Sequence, residues 1–145
     1  MTEAFAAADK LDILELFARY AWSLDTADPA GYASLFVTEA VLGMNQARYE
    51  GRSAIEDYAR ELTSRDNWPG SQHYNGQVIF EPVEADRCKV RSYSMIIYRL
   101  ADGSCHFRHL GLYQDICVRV EGKWFFEERL WQPWNPDKIG DYRLA

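Results

Sequence analysis

The spacing of apolar residues changes once along this chain, near residue 71, and that change limits the fold more than any other feature. Helical side chains return to one face every three or four residues, whereas strand side chains alternate between two faces. Residues 9–24 follow the helical rule: Leu11, Leu14, Ala18, Ala21 and Trp22 form a stripe that Ile13, Phe17 and Leu24 widen. Asp9 is placed to cap this helix. Asp28-Pro29 starts a second one over Pro29–Phe36, with proline at the first helical position. EAVLGM (39–44) and QARYEG (46–51) read as a short hairpin. In GRSAIEDYARELTSR, Ser53 caps a third helix, with Glu56 three residues on and Ala54, Ile55, Tyr58 and Leu62 on its buried face. From residue 71 the period is two, with strands expected at 72–82, 87–101, 104–121 and 123–132 and turns at VEAD, ADG and EGK.

Helices first and long antiparallel strands after them predict an α+β fold. The strands far exceed the common length of about five or six residues. Strands that long predict a strongly curved sheet, wrapped with three helices around a cone-shaped pocket. With 145 residues the chain reads as one domain over 1–145, with a core at 8–132 and a tail at 133–145. That length buries roughly 70% of the unfolded surface without staples.

Composition removes several functions. A net charge of −6 without any Lys/Arg run argues against nucleic acid, and no stretch is apolar enough to span a membrane. MTEAFAAADK lacks the apolar core of a signal peptide, which points to the cytoplasm. Cys88, Cys105 and Cys117 form no C-x-x-C pair and read as reduced thiols. No G-x-S-x-G, P-loop or G-x-G-x-x-G is present. His106 and His109, three apart on one expected strand, should face opposite sides and so cannot clasp one metal. Neither metal nor cofactor is expected.

The stretch SQHYNGQVIF (71–80) puts polar residues at the start of an otherwise apolar strand. Strict alternation puts His73, Asn75, Gln77 and Ile79 on one face and Tyr74, Val78 and Phe80 on the other. A neutral imidazole takes and returns a proton near pH 7, and a carboxylate behind it fixes its tautomer. Asp25, at the end of the first helix, is electrostatically misplaced unless a cationic or imidazole partner holds it there. Tyr20 can reach a cavity at the same helix end, and Arg129 shares an expected face with Phe125, Glu127 and Trp131. Asn75 is placed to bind a substrate oxygen.

Four segments together carry a resemblance over residues 8–132. They are the helix leading to D-x-x-D-P with LFVTEAVL behind it, YEGRSAIEDY, QHYNGQVIF, and GLYQDICVRVEGKWFFEER. This order resembles the SnoaL-like branch of the nuclear transport factor 2-like superfamily. Within it the chain is similar to cofactor-free lyases: scytalone dehydratase, bile-acid 7α-dehydratase and hexachlorocyclohexane dehydrochlorinase. The resemblance implies an Asp25–His73 dyad, with Tyr20 or His109 as acid and Arg129 steadying the dyad or an anionic group. The dehydrochlorinase carries a lysine where this chain has Tyr20, which counts against dehalogenation. Trp22, Phe36, Tyr58, Trp68, Tyr93, Tyr113 and Trp131 would wall the pocket, with a hydrophobic aromatic or steroid-like substrate. Dehydration, isomerisation and aldehyde-eliminating carbon–carbon cleavage all remain open on such a dyad, as does a non-catalytic binding subunit. Kinship further implies a homo-oligomer, a trimer before a dimer, and the tail is expected to pack over a neighbour or cover the pocket mouth.

Overall fold

The structure, a computed structural model, describes residues 4–144. Its elements are α1 (Ala7–Asp25), α2 (Pro29–Ala33), β1 (Phe36–Met44), β2 (Ala47–Glu50), α3 (Arg52–Thr63), β3 (Ser71–Glu84), β4 (Arg87–Arg99), β5 (Cys105–Val120) and β6 (Lys123–Pro133). One six-stranded sheet runs β2-β1-β6-β5-β4-β3, antiparallel except where β1 lies parallel to β6. The helices pack on its concave face, giving the expected α+β cone. The sheet stays open, with β2 and β3 as its edges.

Local starts differ from the expected ones for identifiable reasons. Asp9 lies inside the first turn of α1 rather than at its cap, and its carboxylate reaches back to accept the Ala6 N–H at 2.7 Å. Asp28 does cap α2, accepting the Gly31 N–H, but the helix ends at Ala33 because Phe36 already enters the sheet beside Phe126. Ser53 caps nothing; α3 begins after Gly51, whose φ of +89° suits glycine.

Three β-bulges change which side chains face inward. In β3, Gln77 (φ +51°) is inserted between the pairs Gly76–Tyr93 and Ile79–Arg91. Downstream of it Val78 and Phe80 therefore turn toward the core with His73 and Asn75, while Gln77 and Ile79 point out. Strict alternation has these two sets reversed. Arg108 is the extra residue of β5, between Ile97–Phe107 and Ile96–His109. Cross-strand partners share a face, so His106 (opposite Tyr98 and Ser71) and His109 (opposite Ile96 and His73) lie on the same side, contrary to expectation. Glu127 is the extra residue of β6, so Arg129 faces inward with Phe126 and Trp131 rather than with Phe125 and Glu127.

Beneath the helices lies a core of Ile13, Leu16, Phe17, Tyr20, Tyr32, Phe36, Ile55, Trp124 and Phe126. The tail does not cover the pocket mouth. It forms a 3-10 stretch (Pro136–Tyr142) folded onto the outer sheet face, where Trp134 packs edge-on against Tyr93 and at a tilt against Tyr142.

Candidate active site

The C-terminal end of α1 and the start of β3 meet at Asp25 and His73. The Asp25 Oδ1 to His73 Nδ1 distance is 2.6 Å, and the His73 backbone N–H donates to Oδ2 at 3.0 Å. A carboxylate oxygen accepts here, so Nδ1 carries a proton, and in the neutral imidazole that leaves the lone pair on Nε2. Among the described residues Nε2 has no hydrogen-bond partner. Two donors on one carboxylate offset the unfavourable position of Asp25 at a helix C-terminus. Trp68 completes the joint: its indole N–H donates to the Leu24 carbonyl at 2.8 Å, and its ring lies 5.5 Å from that of His73.

His73 lines a cavity of about 280 Å³. Tyr20, Tyr58, Trp68, His109, Tyr113 and Trp131 join it on the wall, as do the apolar Leu24, Met44, Leu62 and Ile96. Tyr20 is not a free hydroxyl at this wall. Tyr32 donates to it at 3.2 Å and Tyr113 Oη lies 3.1 Å away, a buried three-tyrosine chain. Burial pushes the phenols of Tyr20, Tyr32 and Tyr113 above their ordinary value, so all three keep their protons at neutral pH. Partial burial, then the charges of Arg108 and His73, hold His109 below its usual value.

Other candidates lie elsewhere. Trp22 is 72% exposed, outside the cavity, because it sits two residues from both Tyr20 and Leu24 and so on the opposite side of α1. It shares a separate surface groove with Asp25. Phe36 is core, and Tyr93 is on the outer sheet face. Arg129 touches neither Asp25 nor His73. It is wholly buried, pairs with Asp115 at 2.9 Å and donates to Asn75 Oδ1 at 3.3 Å. Its guanidinium sits among Tyr113 (3.6 Å), Tyr20 (4.1 Å), Phe126 (4.5 Å) and Phe17 (4.7 Å). Asn75 is consumed by Arg129 and by the Tyr93 carbonyl, and it does not line the cavity. Burial pushes the Asp115 carboxyl up to about 7, against the pull of Arg129. These two residues act behind the tyrosine chain. Sequence reasoning missed Asp115, Arg108, Met44 and Leu62; the isolated Gly76 in a strand was the one available sign of a bulge.

Similarity to known proteins agrees with this architecture. Rv3472 from Mycobacterium tuberculosis, a protein of unknown function solved as a single-substitution variant, superposes with a TM-score of 0.79 at 25% identity. That match covers 97% of this chain and 84% of the other. A candidate scytalone dehydratase from Novosphingobium aromaticivorans matches at TM-score 0.78 and 23% identity, over 88% and 85% of the two chains. Aln2 from a Streptomyces species matches at TM-score 0.83 and 20% identity, over 97% and 100%. A search of curated proteins finds no sequence match. Among the described residues no helix is long and apolar enough to cross a membrane. The SnoaL-like domain model matches residues 6–130, and the chain belongs to that family, which includes polyketide cyclases and dehydratases.

Proposed function

We propose that the protein is a cofactor-independent acid–base catalyst, a lyase of the dehydratase type, acting on a small hydrophobic ring compound. The observation that carries this reading is the 2.6 Å Asp25–His73 contact at the wall of an apolar cavity. His73 Nε2 removes a proton beside a carbonyl or aromatic system, and Asp25 steadies the imidazolium that results. The Tyr113–Tyr20 hydroxyls, backed by the Arg129 charge, stabilise an oxygen on which negative charge develops. His109 donates a hydrogen bond to the leaving oxygen, and the proton that His73 Nε2 has taken up returns to that oxygen, so that water departs as the carbon–carbon double bond forms. At about 280 Å³ the cavity lies at the small end of ligand sites, which suits one or two rings better than a steroid.

Isomerisation or aldehyde-eliminating cleavage would use the same base. Incubation with a panel of aromatic alcohols and ketones, read by product mass, separates them: loss of water, loss of an aldehyde, or no change. If Asp25→Asn and His73→Ala leave every such activity and ligand affinity intact, the catalytic reading falls, and a binding subunit takes its place. Tyr74, Tyr93, Phe107 and Leu110 lie exposed on the outer sheet face, which supports a homo-oligomer, trimer or dimer. A monomer by light scattering at micromolar concentration overturns that.

A further inference from the structure

Arg108 enters the cavity wall through the bulge of β5, immediately before His109 in the row that runs through Ile96 to His73. Its guanidinium lies 4.7 Å from the Tyr98 ring centroid, and its one hydrogen bond among the described residues, Nη1 to Ser71 Oγ, is long at 3.4 Å. The other arginines that are not freely exposed have stronger acceptors. Arg87, Arg91, Arg119 and Arg129 reach carboxylates, and Arg52 makes two hydrogen bonds to the Phe36 carbonyl. Among the described residues Arg108 has neither a carboxylate nor a carbonyl acceptor.

The lining around it is equally one-sided. Although the protein carries a net charge of −6, no aspartate or glutamate among the described residues lines the cavity. Its second arginine, Arg65, is held by both carboxylate oxygens of Glu61 at 3.0 and 3.1 Å. An apolar hollow with one uncompensated cation on its wall focuses a positive potential and concentrates anions. A guanidinium partly withdrawn from water, whose acceptor is a hydroxyl at 3.4 Å, is also a costly arrangement, which a bound oxyanion relieves.

We infer that the substrate is a ring compound bearing an anionic oxygen group, a carboxylate foremost, and that Arg108 receives this group while the ring fills the apolar cavity beside His73. The inference rests on the cavity being the substrate site. The position of Arg108 beside His109 then fixes which end of the substrate faces the base.

Calorimetric titration with 2-naphthoate and its neutral analogue 2-naphthamide tests this without knowledge of the reaction. Wild type should bind the naphthoate at least about tenfold more tightly. Arg108→Gln should erase that preference by weakening the naphthoate about tenfold and leaving the amide within about twofold, and Arg108→Lys should restore part of it. A wild type without preference for the anion overturns the inference, and so does a preference that survives in Arg108→Gln. An equal loss of both ligands in Arg108→Gln assigns the side chain to packing on Tyr98 and also overturns it. Leu62→Trp, or Ile96→Trp if the first variant unfolds, fills the cavity and should abolish both titrations. Undiminished binding there means that the ligands sit elsewhere. In that case the cavity fails as the substrate site, and the Arg108 subsite falls with it.

Discussion

The two ends of α1 each carry an aspartate fastened to the sheet, and the two are fastened for different reasons. Asp9, in the first turn, accepts the Ala6 N–H at 2.7 Å, Arg119 at 2.8 Å and the Trp124 indole N–H at 2.9 Å. Helix dipole, cation and donors all favour its charge. Burial raises its pKa, but the Ala6 N–H, Trp124 and Arg119 outweigh it and hold the carboxyl below its ordinary value. Asp25, in the last turn, stands where the helix dipole opposes a carboxylate, and among the described residues only His73 supplies its donors. A carboxylate placed where every local force agrees is a structural clasp. One placed against the local field calls for another reason, and the proposed role of Asp25 as orienter of the base His73 would supply it.

Four measurements break or sharpen that contrast. The largest effect is expected on catalysis: His73→Ala or Asp25→Asn should lower kcat/KM by about 10²–10⁴-fold, measured on the first substrate identified in the product-mass panel. Asp9→Ala, which removes the carboxylate that faces Arg119 and the acceptor of the Trp124 N–H, should cost about 3 kcal/mol in urea unfolding and leave turnover per folded molecule unchanged. If turnover collapsed with it, the two ends would not be separable.

The pH dependence of stability comes next. The folded pKa of Asp9 is depressed, so its stabilisation is complete above about pH 4 and disappears as pH falls through the folded value. Asp115 has the opposite sign. Its raised pKa stabilises the fold fully below about pH 4, and that contribution is lost as pH climbs through about 7. Urea midpoints measured from pH 3 to 8 should flatten on the acid limb in Asp9→Asn and between pH 4 and 7 in Asp115→Asn. Smallest of all, Asp25→Asn should leave the unfolding free energy within about 1 kcal/mol of wild type, since the dipole relief offsets the weakened bonds to His73. A loss as large as that of Asp9→Ala would make Asp25 a second clasp.

The helices and strands were legible because their apolar spacing is regular, and Asp25 and His73 stood out because each is locally misplaced: a carboxylate at a helix C-terminus, an imidazole at the head of an apolar strand. Face assignments were not legible in the same way. Gln77, Arg108 and Glu127 are ordinary polar residues in a strand sequence, and only pairing with a neighbouring strand shows that each is surplus. The inward turn of Arg129 and the entry of Arg108 into the cavity wall both depend on such a residue. Asp115 was overlooked for a related reason. A carboxylate in a strand reads as solvent-facing until its partner, Arg129 directly across β6, is known to be buried.

The bulge at Gln77 has a consequence for how β3 can change. Upstream of it, odd-numbered positions point inward and hold His73; downstream, even-numbered positions do, and hold Val78 and Phe80 against the core. The strand is thus written in two phases joined at one residue. Removing that residue, or adding one on either side, would throw one half out of phase, sending either the imidazole or the core side chains into solvent. Length changes in this strand keep both halves in phase only in steps of two.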